Sequence, residues 1–213
     1  MNAERIGCFA LVVIMAAVIS LSVVAQDAAM DGTQRDSLVA TLCHMSGQLR
    51  LIRPLATYAI LSPIRSDQRM YAQYIVNILE GSQGKDYVSL PVPPELVKIM
   101  KAWGISPGDP GLIEGASMLE ERIGSIPPDS PLRPSKDRLT YAVKNIAYLL
   151  DSALKEAQAS FRARNIESAS EHMRISYACA FSALGTAGEG ISPGSVIDLL
   201  VLLRGSALCR EQQ

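Results

Sequence analysis

Two short triplets hold the side chains best suited to chemistry in this chain, Cys43-His44-Met45 and Glu171-His172-Met173. They contain both histidines among the 213 residues, and each imidazole stands beside a thioether. Imidazole and soft sulfur suit copper, and one His or Met from each of two helices can ligate haem iron. His172, Met173 and Met45 are therefore the candidate ligands of a haem- or copper-binding carrier. Helical geometry sets the two histidines apart. His44 lies two residues from Leu42, about 200° round a helix, beside Thr41 and Gln48 on a polar face. His172 stands three, four and seven residues from Ala169, Ser176 and Cys179, and is the one expected to face a core. The bland alternative is a surface His44 and a satisfied, partly buried His172, since metal sites need several convergent donors.

Other reactive patterns are missing. A di-iron bundle needs Glu-x-x-His on each of two helices, and here Thr41 and Ala169 occupy the Glu positions. Glu120 and Glu121 are sequence neighbours, so on a helix they diverge. There is no Gly-x-Ser-x-Gly, no glycine-rich loop ending in Gly-Lys-Ser/Thr, and no Cys-x-x-Cys-His. No residue is assigned a catalytic role, and the expectation is a protein that is not an enzyme. Tyr71, Tyr74 and Tyr148, with Asn145 and the amides of Gln73 and Asn77, form a second candidate site. Phenols and amides on neighbouring helices make the mixed apolar and polar lining that small ligands use. Amphipathic side chains of this kind also serve simply as the edge of a core.

Composition narrows the partners. Twenty basic against twenty-one acidic residues leave no electrostatic footprint for nucleic acid. Five per cent aromatics, with one Trp, supply no stacking platform for bases. At 48% hydrophobic residues the chain can bury a core and is not a disordered one.

The elements that must position these side chains begin with an address. Cys8–Ala25 carries no charge, and Arg5 is the one basic residue before it. Val23 and Ala25 suit the minus-three and minus-one positions of a signal-peptidase site, so residues 1–25 read as a signal peptide with Gln26 as the new N-terminus. The run is also close to the shortest that spans a bilayer, and the competing reading is an uncleaved N-terminal anchor. Either places residues 26–213 outside the cytoplasmic membrane, periplasmic or extracellular, with membrane contact only through the N-terminal segment if it stays attached. Cys43, Cys179 and Cys209 remain beyond it. An odd count in an exported protein implies one disulfide and one leftover thiol. The expected pair is Cys43 with Cys209, tying the first mature helix to the last, with Cys179 buried and free.

Apolar residues recur at spacings of three and four throughout, as on amphipathic helices. Leu38, Leu42, Met45, Leu49 and Ile52 line a first helix, which Pro54 should kink or end. A second is expected to start at Ser62-Pro63 and stop at Gly81. Short helices follow over 95–103 and from Asp109-Pro110 to Gly124. Ile126–Pro134, with four prolines, reads as a stiff, extended connection. Leu139 to Phe161 line the longest helix, Ile166–Gly185 makes the next, and Gly194–Leu208 the last. The expected molecule is all-α, a helical bundle of about four long helices (34–61, 63–80, 136–164, 166–185) with two or three short ones. Residues 26–213 form a single helical domain, its halves joined at 126–134. The function expected of it is a non-catalytic binding or interaction module of the cell envelope, with a protein or small-molecule partner. The alternative is the haem or copper carrier.

Overall fold

A computed structural model describes residues 3–186 and 193–204, with side chains from residue 32 onward. Among the described residues the chain is all-α, with seven helices and no strand. These are α1 (Ala3–Leu61), α2 (Arg65–Glu80), α3 (Pro94–Ala102), α4 (Leu112–Gly124), α5 (Lys136–Arg162), α6 (Ile166–Leu184) and α7 (Val196–Arg204). The chain divides into two units, residues 1–37 and 38–213. The side chains of the apolar run 8–25 lie outside the described residues. Among those described, no helix is long and apolar enough to cross a membrane.

In the second unit α1 does not end at Pro54. The helix continues unbroken to Leu61. Leu51, Ile52, Leu55, Ala56 and Ala59 are buried on both sides of the proline, so one continuous apolar stripe holds the helix against the core. That packing outweighs the missing N–H of a single proline. Tertiary burial overrides the local breaker.

α2 begins at Arg65, two residues later than its Ser-Pro signal indicates. The Ser62 hydroxyl accepts the N–H of Ile64 at 3.2 Å, and Ile64 stays extended. Serine therefore makes a local turn here instead of a helix cap. The Arg65 guanidinium donates to the carbonyls of Ser160, Phe161 and Ala163, at 2.7–3.1 Å, and so satisfies the open C-terminus of α5. α4 likewise starts late, at Leu112. Asp109 does not cap it, because its carboxylate accepts the backbone N–H of Ser106 at 2.6 Å. Gly111 stands at the helix entrance instead, and Pro110 forms an isolated antiparallel bridge with Gly81.

The connection over 126–134 is coiled, not extended. Ser130, Arg133 and Ser135 each donate a backbone N–H three residues back, to Pro127, Ser130 and Leu132. Ile126 is buried and Leu132 packs on the core, so the segment has an apolar reason to fold in. α5 packs against α6, α2 and α4. Leu139, Val143, Ile146, Leu150, Ala153 and Ala157 form its buried face, while Phe161 is exposed past the end of the stripe. Small residues let α6 approach closely: the hydroxyl of Ser176 donates to the Ala153 carbonyl, and that of Ser160 to the Ala169 carbonyl, both at 2.8 Å. α7 carries a reciprocal cap. Ser195 Oγ accepts from the N–H of Asp198, and Asp198 accepts from the N–H of Gly194.

Candidate functional site

The second unit contains a cleft of about 60 Å³, part of an open depression of about 560 Å³. One wall is α1, through Gln48, Leu51 and Leu55, and the facing wall is α2, through Tyr74, Asn77 and Ile78. Tyr87, Leu90 and Val92 cover it, and α3 with the 105–109 loop closes one end.

The cover has no regular structure of its own and is held by polar side chains of α2. Tyr74 donates its hydroxyl to the Pro91 carbonyl at 2.5 Å. Asn77 donates to Val88 O at 2.6 Å and accepts from Val88 N at 3.1 Å. Gln73 reaches Asp86 O at 2.7 Å. The spacing 73, 74, 77 puts these three side chains along one side of the helix. Burial, and then the neighbouring Tyr71, push the Tyr74 phenol above its ordinary pKa. The proton that makes the bond to Pro91 is thus retained.

The loop end of the cleft is polar. Gln48 is 3% exposed, and its Nε2 donates to the Pro110 carbonyl at 2.8 Å. A carbonyl can only accept, so this bond fixes which way the amide points. Gln48 Oε1 is left without a protein partner. Four residues earlier on α1, His44 sets Nε2 3.5 Å from the Asp109 carboxylate, an ion-pair distance without hydrogen-bond geometry. Buried polar atoms are ordinarily paired, and each exception calls for a physical reason. Two of them, on one face of α1, adjoin the same Asp109-Pro110 segment.

The structure separates the residues singled out by sequence. His172 is partly buried and satisfied, not turned into the core: its side chain is 37% exposed, and its Nδ1 lies 2.7 Å from Glu156 Oε2. Met173, the next residue, points about 100° away into the core, where it is fully buried. Met45 is equally buried, against Gly115. Among the described residues no three His, Cys, Asp or Glu side chains converge as a metal site. His44, expected on a wet face, is half-buried at 31% exposure, with its Nε2 turned inward toward Asp109. Of the pocket candidates, Tyr74 lines the cleft. Tyr71 stacks on Tyr58 at 5.3 Å, Asn145 donates to Gly194 O at 2.9 Å, and Tyr148 is 70% exposed on α5. Cys179 is a free thiol, half-buried where full burial was expected, and raised in pKa by burial and by Glu156. Cys43 has the Arg204 guanidinium 3.8 Å from its sulfur, and Cys209 lies outside the described residues.

Gln48, His44 and Asp109 are the functional candidates that periodicity missed. Their signal was the pair His44 and Gln48, one turn apart beside the apolar stripe of α1. No protein-family model matches the chain, and neither does any curated protein or any solved structure.

Proposed function

We propose that the protein is an exported, non-catalytic binding module of the cell envelope that takes a small molecule in the cleft between α1 and α2. The observation that carries this reading is Gln48, a buried amide lining an apolar cleft with one hydrogen-bonding atom unpaired. A ligand that completes that bond while covering Leu51, Leu55 and Leu90 gains both polar and apolar free energy.

Export rests on the Cys8–Ala25 run, and the mature chain starts at Gln26. Its scaffold is a helical bundle built on the later part of α1 with α2, α5 and α6. A Cys43–Cys209 disulfide closes α7 onto α1. Arg204, whose guanidinium lies 3.8 Å from the Cys43 sulfur, precedes Cys209 by five residues, which supports the pairing.

The mass of the protein recovered from the envelope fraction tests the address: loss of residues 1–25 is expected, and a cytoplasmic, full-length chain refutes it. Isothermal titration calorimetry of the purified protein with small amphipathic molecules tests the cleft, and saturable heat is expected. A flat response across charged and neutral probes of that size refutes the cleft as a binding site.

A further inference from the structure

We propose that the ligand of this cleft is a primary ammonium on a narrow apolar chain, with the ammonium donating to Gln48 Oε1 and facing the Asp109 carboxylate. This rests on the cleft being the binding site and goes on to say what chemistry the site selects.

The polar groups on the lining decide the charge. They are Gln48, Tyr74, Asn77, Tyr87, Ser106 and Asp109, with no Lys or Arg among them. Asn77 is occupied on both sides, by Gln73 and by Val88. The Tyr74 hydroxyl already donates its hydrogen bond to Pro91 O. What remains in the buried part is an acceptor, Gln48 Oε1, itself almost without water-accessible surface. An acceptor left unpaired asks for an N–H or O–H on the ligand, and it repels a carboxylate.

Asp109 then separates amines from alcohols. Its carboxylate lines the cleft at 24% exposure, one residue from the Pro110 carbonyl that holds Gln48. One of its oxygens accepts from Ser106 N–H and lies 3.5 Å from His44, so its charge is anchored in place by the loop. A charge-assisted bond from a cation is about twice as strong as a neutral one. Because the depression is open to water on one side, an ammonium keeps part of its hydration and avoids the full cost of burying a charge.

The dimensions decide the body. About 60 Å³ of the open depression takes groups the size of water, roughly four of them at ~15 Å³ each. That suits the end of a slender chain. The apolar surface of Leu90, Val92 and Leu96 along the open part suits a linear alkyl portion.

Three probes of one length make the test: n-hexylamine, 1-hexanol and hexanoate, each titrated into the purified protein at pH 7 with isothermal titration calorimetry as readout. The amine should bind about tenfold more tightly than the alcohol, and hexanoate more weakly than either. Gln48→Leu and Asp109→Asn should each reduce amine affinity about tenfold and leave hexanol within twofold. Hexanol or hexanoate binding as tightly as hexylamine overturns the ammonium assignment while the cleft stands as a binding site. Silence with all three probes overturns the cleft reading itself. The wild-type comparison decides the matter even where a variant fails to fold.

Discussion

Gly81 and Gly111 meet back to back where α2 ends and α4 begins, and replacing them tests how the loop end of the cleft is built. Gly81 has φ 77° and ψ 178°. That region is reserved for glycine, and another residue costs ~1–3 kcal/mol there. A Cβ on Gly81 would also stand 2.3 Å from Gly111 N and 2.9 Å from its Cα. Both atoms are backbone, so no rotamer change relieves the contact, and overpacking of this kind costs ~1–3 kcal/mol more. Gly111 has ordinary extended dihedrals, φ −70° and ψ 162°, yet its Cβ would lie 2.2 Å from Glu80 C. It carries the steric cost alone. Gly104, at φ 64° with nothing within 4 Å, carries the conformational cost alone, ~1–2 kcal/mol. Thermal unfolding of the three alanine variants separates the two effects. For a domain of this size each kcal/mol lowers Tm by ~2–4 °C. Gly81→Ala should lose about as much as Gly104→Ala and Gly111→Ala together. A Gly81→Ala loss no larger than that of Gly104→Ala would refute the close approach of the two backbones.

Three further outcomes follow from buried polar contacts. Asp198, 4% exposed, pairs with Arg138 at 2.6 Å and caps Gly194 N. Asp198→Ala should cost ~1.5–3 kcal/mol in urea unfolding, and Arg138→Ala under ~1, because Arg138 is mostly in water; equal losses would refute the capping role. Arg65→Met should cost ~1–2 kcal/mol by uncapping α5, with Arg65→Lys recovering only part, since an ammonium cannot span three carbonyls. Full recovery by lysine in the same denaturation would show that charge alone matters. Burial and Glu156 raise the Cys179 pKa, so at pH 8 less of it is thiolate than of a free cysteine. Its alkylation by iodoacetamide should be slower than that of a model thiol and should climb at higher pH. Glu156→Gln should speed it, and an unchanged rate would remove the carboxylate as a cause.

Legibility varied with how local each cause was. The buried face of α5, the stop at Gly81 and the break at Asn165 follow from periodicity and capping chemistry that act within a turn or two. Asn165 does accept the N–H of Ser168, at 2.8 Å. Pro54 left open how α1 continues from 54 to 61, because its local effect opposes a stripe of burial that only the folded chain supplies. Asp109-Pro110 misled because the same dipeptide suits a helix cap and a loop turn, and the bond from Ser106 N–H decides for the turn. The site was less legible than the fold for the same reason. Gln48 sits on the polar flank of α1, and only the 105–110 loop, arriving more than fifty residues later, buries it. His172 sits on a face where Glu156 of α5 meets it near the surface. A helical wheel shows which side of a helix is apolar, but not what covers its edges.

The glycine contact and the cleft are mechanically linked, which ties stability to binding in a way that can be separated experimentally. Pro110 bridges to Gly81, and its carbonyl holds the Gln48 amide at 2.8 Å. Any displacement of the 110–111 segment therefore lengthens that bond and releases Gln48 Oε1 from its fixed direction. Gly111→Ala forces such a displacement, because the clash is with the backbone of Glu80 and Gly81. Asp198→Ala destabilises α7 by a comparable amount without touching any residue that lines the cleft. With both variants studied well below their unfolding temperatures, hexylamine affinity should fall severalfold in Gly111→Ala and stay within twofold of wild type in Asp198→Ala. Equal affinities in the two would mean that the amide does not depend on the clamp. Equal losses would mean that affinity merely follows global stability. A loss confined to Gly111→Ala is what a preorganised acceptor requires, since a bound donor gains from Gln48 only what the protein has already arranged.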